Sequence, residues 1–201
     1  MVAVPGLTFV NSVLCLSSGT RQYLEVRQRE VGRSALGASR TAPNEAVQGD
    51  MGWSGFEARE ARAKLDFKRR LSRMSEERWA RQTFKYVHLR SVPTRWVRRT
   101  RQLPQRYEVS GPLLYPAAEQ PELQQNIRTR VIESETRRWA EAARRKPALA
   151  LYAREKQEVK RIPFMDNSKG SALLSDARGG MLRTRVLRAK YMDVEVKCVM
   201  C

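Results

Sequence analysis

Between Glu57 and Arg106 the chain sets 16 Lys and Arg against 5 Asp and Glu, a net +11, and threads these charges between Leu, Phe, Met and Trp at helical spacing. An unbroken basic block reads as a solvated tail or a targeting run. Cations interleaved with apolar residues every three or four positions read instead as helices with one buried line and one basic face. A strand alternates with period two and cannot sort this pattern onto two faces, so the segment is predicted to be helical. The surrounding sequence is less extreme. Residues 1–50 hold 5 basic and 4 acidic residues, net +1, and residues 107–201 hold 18 against 12, net +6. The formal charge of the whole is +18 on 201 residues. Such an excess repels itself unless a polyanion neutralises it, and nucleic acid is the expected partner.

The apolar pattern places the remaining elements. Thr20 can cap a helix running through Tyr23, Leu24, Val31 and Leu36 to Gly37, with Leu24 and Val31 on one face. Residues 37–52, with Pro43, Asn44 and Gly49, read as a connecting segment holding at most a helical turn near 45–47. Ser54 and Glu57 form a capping box, so a helix is expected to start there. Its apolar line is Ala58, Ala61, Leu65 and 67–71, with Arg59, Arg62, Lys64, Lys68, Arg69 and Arg70 on its other faces. A second helix over 75–89 is expected to turn Trp79, Phe84 and Val87 inward. Pro93, Pro104, Pro112, Pro116 and Pro121 predict a loop-rich stretch over 91–121, anchored by Trp96, Tyr107 and Tyr115. The long helix 122–145 rests on Leu123, Ile127, Val131, Trp139 and Ala143 at spacings of four or eight. Pro147 suits a helix start, and the next helix is expected to pass Leu149, Tyr152 and Val159 and to end at Pro163. A loop with Asp166, Asn167 and Gly170 then leads to short helices over 171–178 and 181–189, divided by Gly179 and Gly180. A short strand is expected over 194–199. The fold class is mostly α: an irregular basic helical bundle with loop-rich connections. Only 7% of residues are aromatic, so a modest, loosely packed core is expected.

Little in the chain points to chemistry. Two-metal catalysis needs converging carboxylates, and Asp50, Asp66, Asp166, Asp176 and Asp193 are each isolated in sequence. Glu76 and Glu77 are adjacent, but acids at a helix start are expected there for the helix dipole alone. His88 is the sole histidine and reads as a surface or helix-end residue. No GxSxG, Walker or GxGxxG pattern occurs, and Gly179 with Gly180 reads as a helix break. Cys198 and Cys201 form a CxxC whose spacing suits two of the four ligands of a tetrahedral zinc. With Cys15 and His88 distant in sequence it is half a site, so no cofactor is expected unless a knuckle is completed. Three cysteines do not make a disulfide framework. The apolar run 7–16 lacks a preceding Lys or Arg and is interrupted by Asn11 and Ser12, so it does not read as a secretion signal, and no stretch has the roughly 18–20 apolar residues of a membrane span.

The candidate nucleic-acid contacts are Arg69, Arg70, Arg73, Arg78, Arg81, Lys85, Arg95, Arg98, Arg99 and Arg101 for phosphates, with Trp96 and Tyr107 for stacking on bases. Trp79 and Trp139 read as core.

The order of short motifs also carries a resemblance. Residues 6–18 (GLTFVNSVLCLSS), 24–37 (LEVRQREVGRSALG), 44–53 (NEAVQGDMGW) and 56–61 (FEAREA) resemble the region after the polymerase palm in non-LTR retrotransposon polyproteins, tick-transposon-like elements in particular. Residues 74–80 (MSEERWA), 146–152 (KPALALY), 166–185 (DNSKGSALLSDARGGMLRTR) and 198–201 (CVMC) keep that order, so nearly the whole chain is covered. The resemblance implies a thumb-like helical region that grips template and primer, then a segment leading into a Cys/His zinc knuckle. It implies upstream polymerase domains as partners in an intact polyprotein. The endonuclease domain, the fingers, the palm with its paired aspartates and the remaining knuckle ligands have no counterpart here, so no catalysis carries over. The expected organisation is a thumb-like segment with linker over 1–52, a basic helical region over 53–106, a Pro-rich connection over 107–121 and a C-terminal helical region over 122–201. The expected activity is non-catalytic binding of RNA or DNA, with neither a membrane nor a small-molecule substrate involved, in an intracellular nuclear or cytoplasmic ribonucleoprotein. A different class, a basic structural protein of a ribonucleoprotein such as an organellar ribosome, satisfies the same charge pattern.

Overall fold

The computed structural model of the chain describes residues 10–109, 121–163 and 168–182, with the backbone alone for 121–126. Among them are eight α-helices and one 3-10 turn and no strand: α1 (Ser18–Leu36), α2 (Asn44–Met51), α3 (Phe56–Arg73), α4 (Trp79–Leu89), α5 (Arg95–Arg106), α6 (Pro121–Arg144), the 3-10 turn Pro147–Leu149, α7 (Ala150–Glu155) and α8 (Lys169–Arg178). The mostly α fold is as the periodicity indicated. None of these helices is long and apolar enough to cross a membrane. The expected helix over 181–189 lies almost wholly outside the described residues, as do Asp166, Asn167, Tyr115, the strand over 194–199 and both Cys198 and Cys201.

The chain forms two compact units, one of residues 1–25 and 54–137, the other of 26–53 and 138–201. In the first unit, α3 packs against α4 and α5. Its core joins Ala58, Ala61 and Leu65 of α3 to Leu103 of α5, to Tyr107 and Val109 beyond it, and to Ile127 and Val131 of α6. Each Leu or Ile buried in this way contributes roughly 1.5–3 kcal/mol.

Helix α3 starts where the capping box predicts, but a different device caps it. The N-cap is Gly55, with no side-chain cap of its own. The Gly55 amide donates to the Glu135 carboxylate and the Phe56 amide to that of Glu25, while the Ser54 hydroxyl also bonds Glu135. Carboxylates distant in sequence therefore satisfy the free amides and oppose the positive helix end.

Two further expectations are corrected in this unit. The stretch around Trp96 is helical, not loop. Thr94 caps α5 by accepting from the Val97 amide at 3.1 Å, and Pro104 is accommodated in its last turn. Burial of Val97, Thr100 and Leu103 at intervals of three supplies the face that loop chemistry would have lacked. Trp79 is not core: at the start of α4 it is 82% exposed, while Phe84, one turn on, is buried.

The second unit has two apolar clusters. One is Ala46, Trp139, Ala143, Leu149 and Tyr152; the other is Leu36, Ala42, Val47 and Met51, with Trp53 and Met181 against it. The expected connecting segment 37–52 is thus core, because α2 turns Ala46, Val47 and Met51 inward. Gly52 ends α2 in the left-handed region (φ +64), and a Cβ there would meet the Arg161 backbone nitrogen at 2.3 Å. Glycine is needed at that position on both counts. In α1 the buried residues are Gln28, Gly32 and Leu36, whereas Val31 is 60% exposed, so the Leu24–Val31 line is not the buried face. The helix expected to reach Val159 stops at Glu155.

Candidate nucleic-acid interface

The positions 63, 66, 67, 70 and 73 follow one another at intervals of three or four, or lie adjacent, along the C-terminal half of α3, so their side chains share a face. They line a groove of about 620 Å³ with Ser12, Arg69 and Met74. Three of the cations expected to touch phosphate, Arg69, Arg70 and Arg73, meet there. Arg70 is exposed and lies over the Phe67 ring at 5.3 Å. Arg69 is mostly buried, with Nε 3.9 Å from Asp66. Burial pushes the Asp66 carboxyl up, and Arg69, Arg62 and Arg70 pull it back down. Asp66 is a counter-charge that orients Arg69 and opposes an anion placed too close to it. The groove's size is within the roughly 300–1,000 Å³ of small-ligand clefts. Its guanidinium forks match the planar, bidentate geometry of phosphate oxygens.

A four-ring cluster supports this face from beneath. Phe67 meets Trp96 edge-on at 6.3 Å, and Trp96 meets Phe84 at 6.4 Å and His88 at 5.8 Å. Trp96 Nε1 donates to the Ser12 carbonyl at 2.8 Å. Trp96 is thereby fixed as a strut joining α3, α4 and α5, which corrects its expected role as a stacking platform. Tyr107 is 2% exposed in the core and cannot stack on a base either.

The other expected contacts divide in two. Arg78, Arg95, Arg98 and Arg101 stand exposed. Arg81 is buried beside Glu76 at 3.6 Å, and Lys85 pairs with the same carboxylate. Arg99 faces inward, at 2.8 Å from Glu57 and 2.9 Å from Glu60. Those two carboxylates also bind Arg21, at 3.0 Å to Glu60, and Arg106, at 2.7 Å to Glu57. Arg81 and Arg99 therefore serve the fold, a correction to their expected role at a phosphate.

Sequence reasoning placed Lys64 and Lys68 on outer faces of α3, and both are buried, at 0% and 5% exposure. Lys64 Nζ donates to the Asn11 carbonyl at 2.7 Å and to that of Leu14, and lies 3.7 Å from Glu60. The signal was present in the spacing, since 61, 64, 65, 68, 71 and 72 form one helical stripe. His88 was passed over as a helix-end residue. Burial, then Lys68 and Arg101, hold its imidazole down from 6.5 to about 4.

The second unit has a polar centre of its own. Asp50 is 1% exposed. Its Oδ1 accepts from the Tyr152 hydroxyl at 2.8 Å, and Arg178 lies 3.5 Å from its Oδ2 and 5.2 Å over the Tyr152 ring. Burial raises the Asp50 carboxyl against the pull of Tyr152, Arg178 and Lys156. Every polar group here is turned inward, so the arrangement is structural. Among the described residues no cluster of three or more His, Cys, Asp or Glu side chains is placed to hold a metal ion.

Protein-family models, curated proteins and solved structures contain no match to this chain.

Proposed function

We propose that the chain is a non-catalytic nucleic-acid-binding protein that holds RNA or DNA by its phosphates along the C-terminal half of α3. The observation that carries the reading is the gathering of Arg69, Arg70 and Arg73 around one groove over a Phe67 floor. Exposed Arg95 and Arg98 on α5, and exposed Trp79 beside Arg78, extend the basic surface of the same unit. The contacts are to backbone phosphate, so the binding has little sequence preference. The motif order that resembles the post-palm region of non-LTR retrotransposon polyproteins favours a template–primer as the natural ligand and a polymerase as the neighbouring domain. On this reading the chain brings no chemistry of its own, and primer extension with magnesium is expected to be nil.

The test is fluorescence anisotropy with a mixed-sequence single-stranded oligonucleotide over a range of salt. Three phosphate contacts give a log–log slope of about −2, since each contributes about −0.7 for single strands. The double variant R70Q/R73Q is expected to weaken binding by about 10-fold or more at low salt and to flatten the slope by roughly 1.4. An isotherm that ignores salt, or a double variant that binds as the wild type does, overturns the proposal.

A further inference from the structure

The two sides of α4 are unlike. Its inward side carries the buried Arg81 and Phe84, with His88 one turn beyond at 4.5 Å from the Phe84 ring. At 3.6 residues per turn, roughly 100° per residue, the opposite side carries Trp79, Thr83, Tyr86 and, at the C-cap, Arg90. All four are exposed, Trp79 by 82% and Tyr86 by 61%, and Leu89, 80% exposed, flanks the second ring. Phe67 and Phe84 already close on Trp96 beneath the helix, so neither outer ring belongs to that core. No acid stands on α4 (WARQTFKYVHL). Of the two that precede it, Glu76 is engaged by Lys85 and lies 3.6 Å from Arg81, while Glu77 is exposed. The exposed cations Arg78 and Arg90 bracket the two rings.

A helix that docks into a protein groove carries apolar anchors at i, i+3, i+4 and i+7. Counted from Trp79, the i+3 and i+4 positions are Gln82 and Thr83, both polar and exposed. Two aromatic faces parted by polar residues and bracketed by arginines fit instead a strand of bases on a charged backbone, since every base has a π-face and the phosphates follow the cations. The rings stand seven residues apart, about 10.5 Å along the axis or roughly three base rises, so they serve separate bases of one strand. The platform also adjoins the groove in the chain. Met74 lines the groove, Trp79 follows five residues later, a span of at most about 18 Å, and the Arg78 amide tightens the turn between them by bonding to the Ser75 carbonyl at 3.1 Å. We propose that Trp79 and Tyr86 form a stacking platform for the unpaired bases of a single strand whose phosphates lie in the α3 groove. The platform rests on the phosphate-binding reading of that groove and adds to it a selection for unpaired over duplex nucleic acid, because paired bases turn their faces to one another.

The full chain is titrated by fluorescence anisotropy against three ligands of equal length: a mixed-sequence single-stranded DNA, the same sequence as a duplex, and an abasic strand with the same phosphates. W79A/Y86A is expected to weaken binding to the single strand by about 10-fold or more, the loss that follows from removing stacked rings. Its affinity for the duplex and the abasic strand is expected to stay within about two-fold, with the salt slope unchanged, because no phosphate contact has been removed. Trp79→Phe keeps a π-face and is expected to retain most of the affinity that Trp79→Ala loses. R70Q/R73Q is expected to weaken all three ligands, so failure of the groove reading shows in that variant, while a loss confined to the ligand with free bases still reports the platform. Equal losses of W79A/Y86A on the single strand and the abasic strand, or none on any ligand, overturn the proposal. So does a sedimentation-velocity result in which W79A/Y86A dissociates a wild-type dimer yet binds the single strand unchanged, which assigns the face to a second copy of the chain.

Discussion

The two units carry the same net charge, +9 each, from 20 basic against 11 acidic residues in the first and 19 against 10 in the second, yet they handle it in opposite ways. In the second unit the buried charge is an acid, Asp50, and the groups around it point inward to satisfy it. Glu45 works similarly: Lys146 pairs with its carboxylate and Trp139 Nε1 donates to its backbone carbonyl. In the first unit two carboxylates, Glu57 and Glu60, gather Arg21, Lys64, Arg99 and Arg106, and the surplus cations collect along α3 and α5. One of those, Lys68, is buried, and burial and then Arg101 push its ammonium down. Net charge thus says nothing about where a polyanion binds. What matters is whether cations are consumed by acids of the fold or left exposed along a helix face.

The strongest way to break this contrast is Asp50→Ala. It leaves the Arg178 guanidinium without its counter-charge and the Tyr152 hydroxyl with only the Ala46 carbonyl at 3.3 Å, and about 3 kcal/mol of the stability of the second unit is expected to be lost in urea unfolding. Oligonucleotide affinity, measured where the variant is still folded, is expected to stay within about two-fold because no phosphate contact has been touched. A large loss of affinity in a folded variant would erase the distinction between the units.

Lys68→Met sharpens it from the other side. Replacing Lys68, whose charged form is disfavoured by burial and by Arg101, with an apolar side chain of similar length is expected to stabilise the chain by about 1 kcal/mol, read as a higher urea midpoint at unchanged slope. A destabilised Lys68→Met would place Lys68 among the structural charges.

The smallest effect is in pH. The His88 imidazole is held at about 4 in the folded chain against 6.5 ordinarily, so unfolding takes up a proton between those values. Its contribution to stability is fully present above 6.5 and is lost as pH falls toward 4. Asp50, raised by burial, has the opposite sign: its contribution grows on acidification through its folded pKa and declines as pH rises through it. Thermal melts of His88→Gln beside the wild type isolate the first contribution, and the gap between their Tm values is expected to change across pH 6.5 to 4. A constant gap would remove His88 from the account.

Much of this was legible one element at a time. The period of Ile127, Val131, Trp139 and Ala143 located α6, and each of those four residues is buried. The start of α3 was readable from Ser54 and Glu57, but its actual caps, Glu25 and Glu135, are distant in sequence and invisible to local pattern. Trp79 shows the limit of composition. A tryptophan is apolar enough to be assigned inward, yet this one opens α4 at 82% exposure, and it is Phe84 that packs against Trp96.

The helices, their basic faces and the excess of charge in 57–106 were determined by the sequence itself, because helical periodicity and charge are properties of neighbours along the chain. Which cations are spent on Glu57 and Glu60, which line the groove beside Phe67, and that Lys64 and Lys68 are buried were decided only in three dimensions. An ion pair or an orphaned donor is defined by distance in space, and residues thirty or more positions apart reach that distance only after the core has closed.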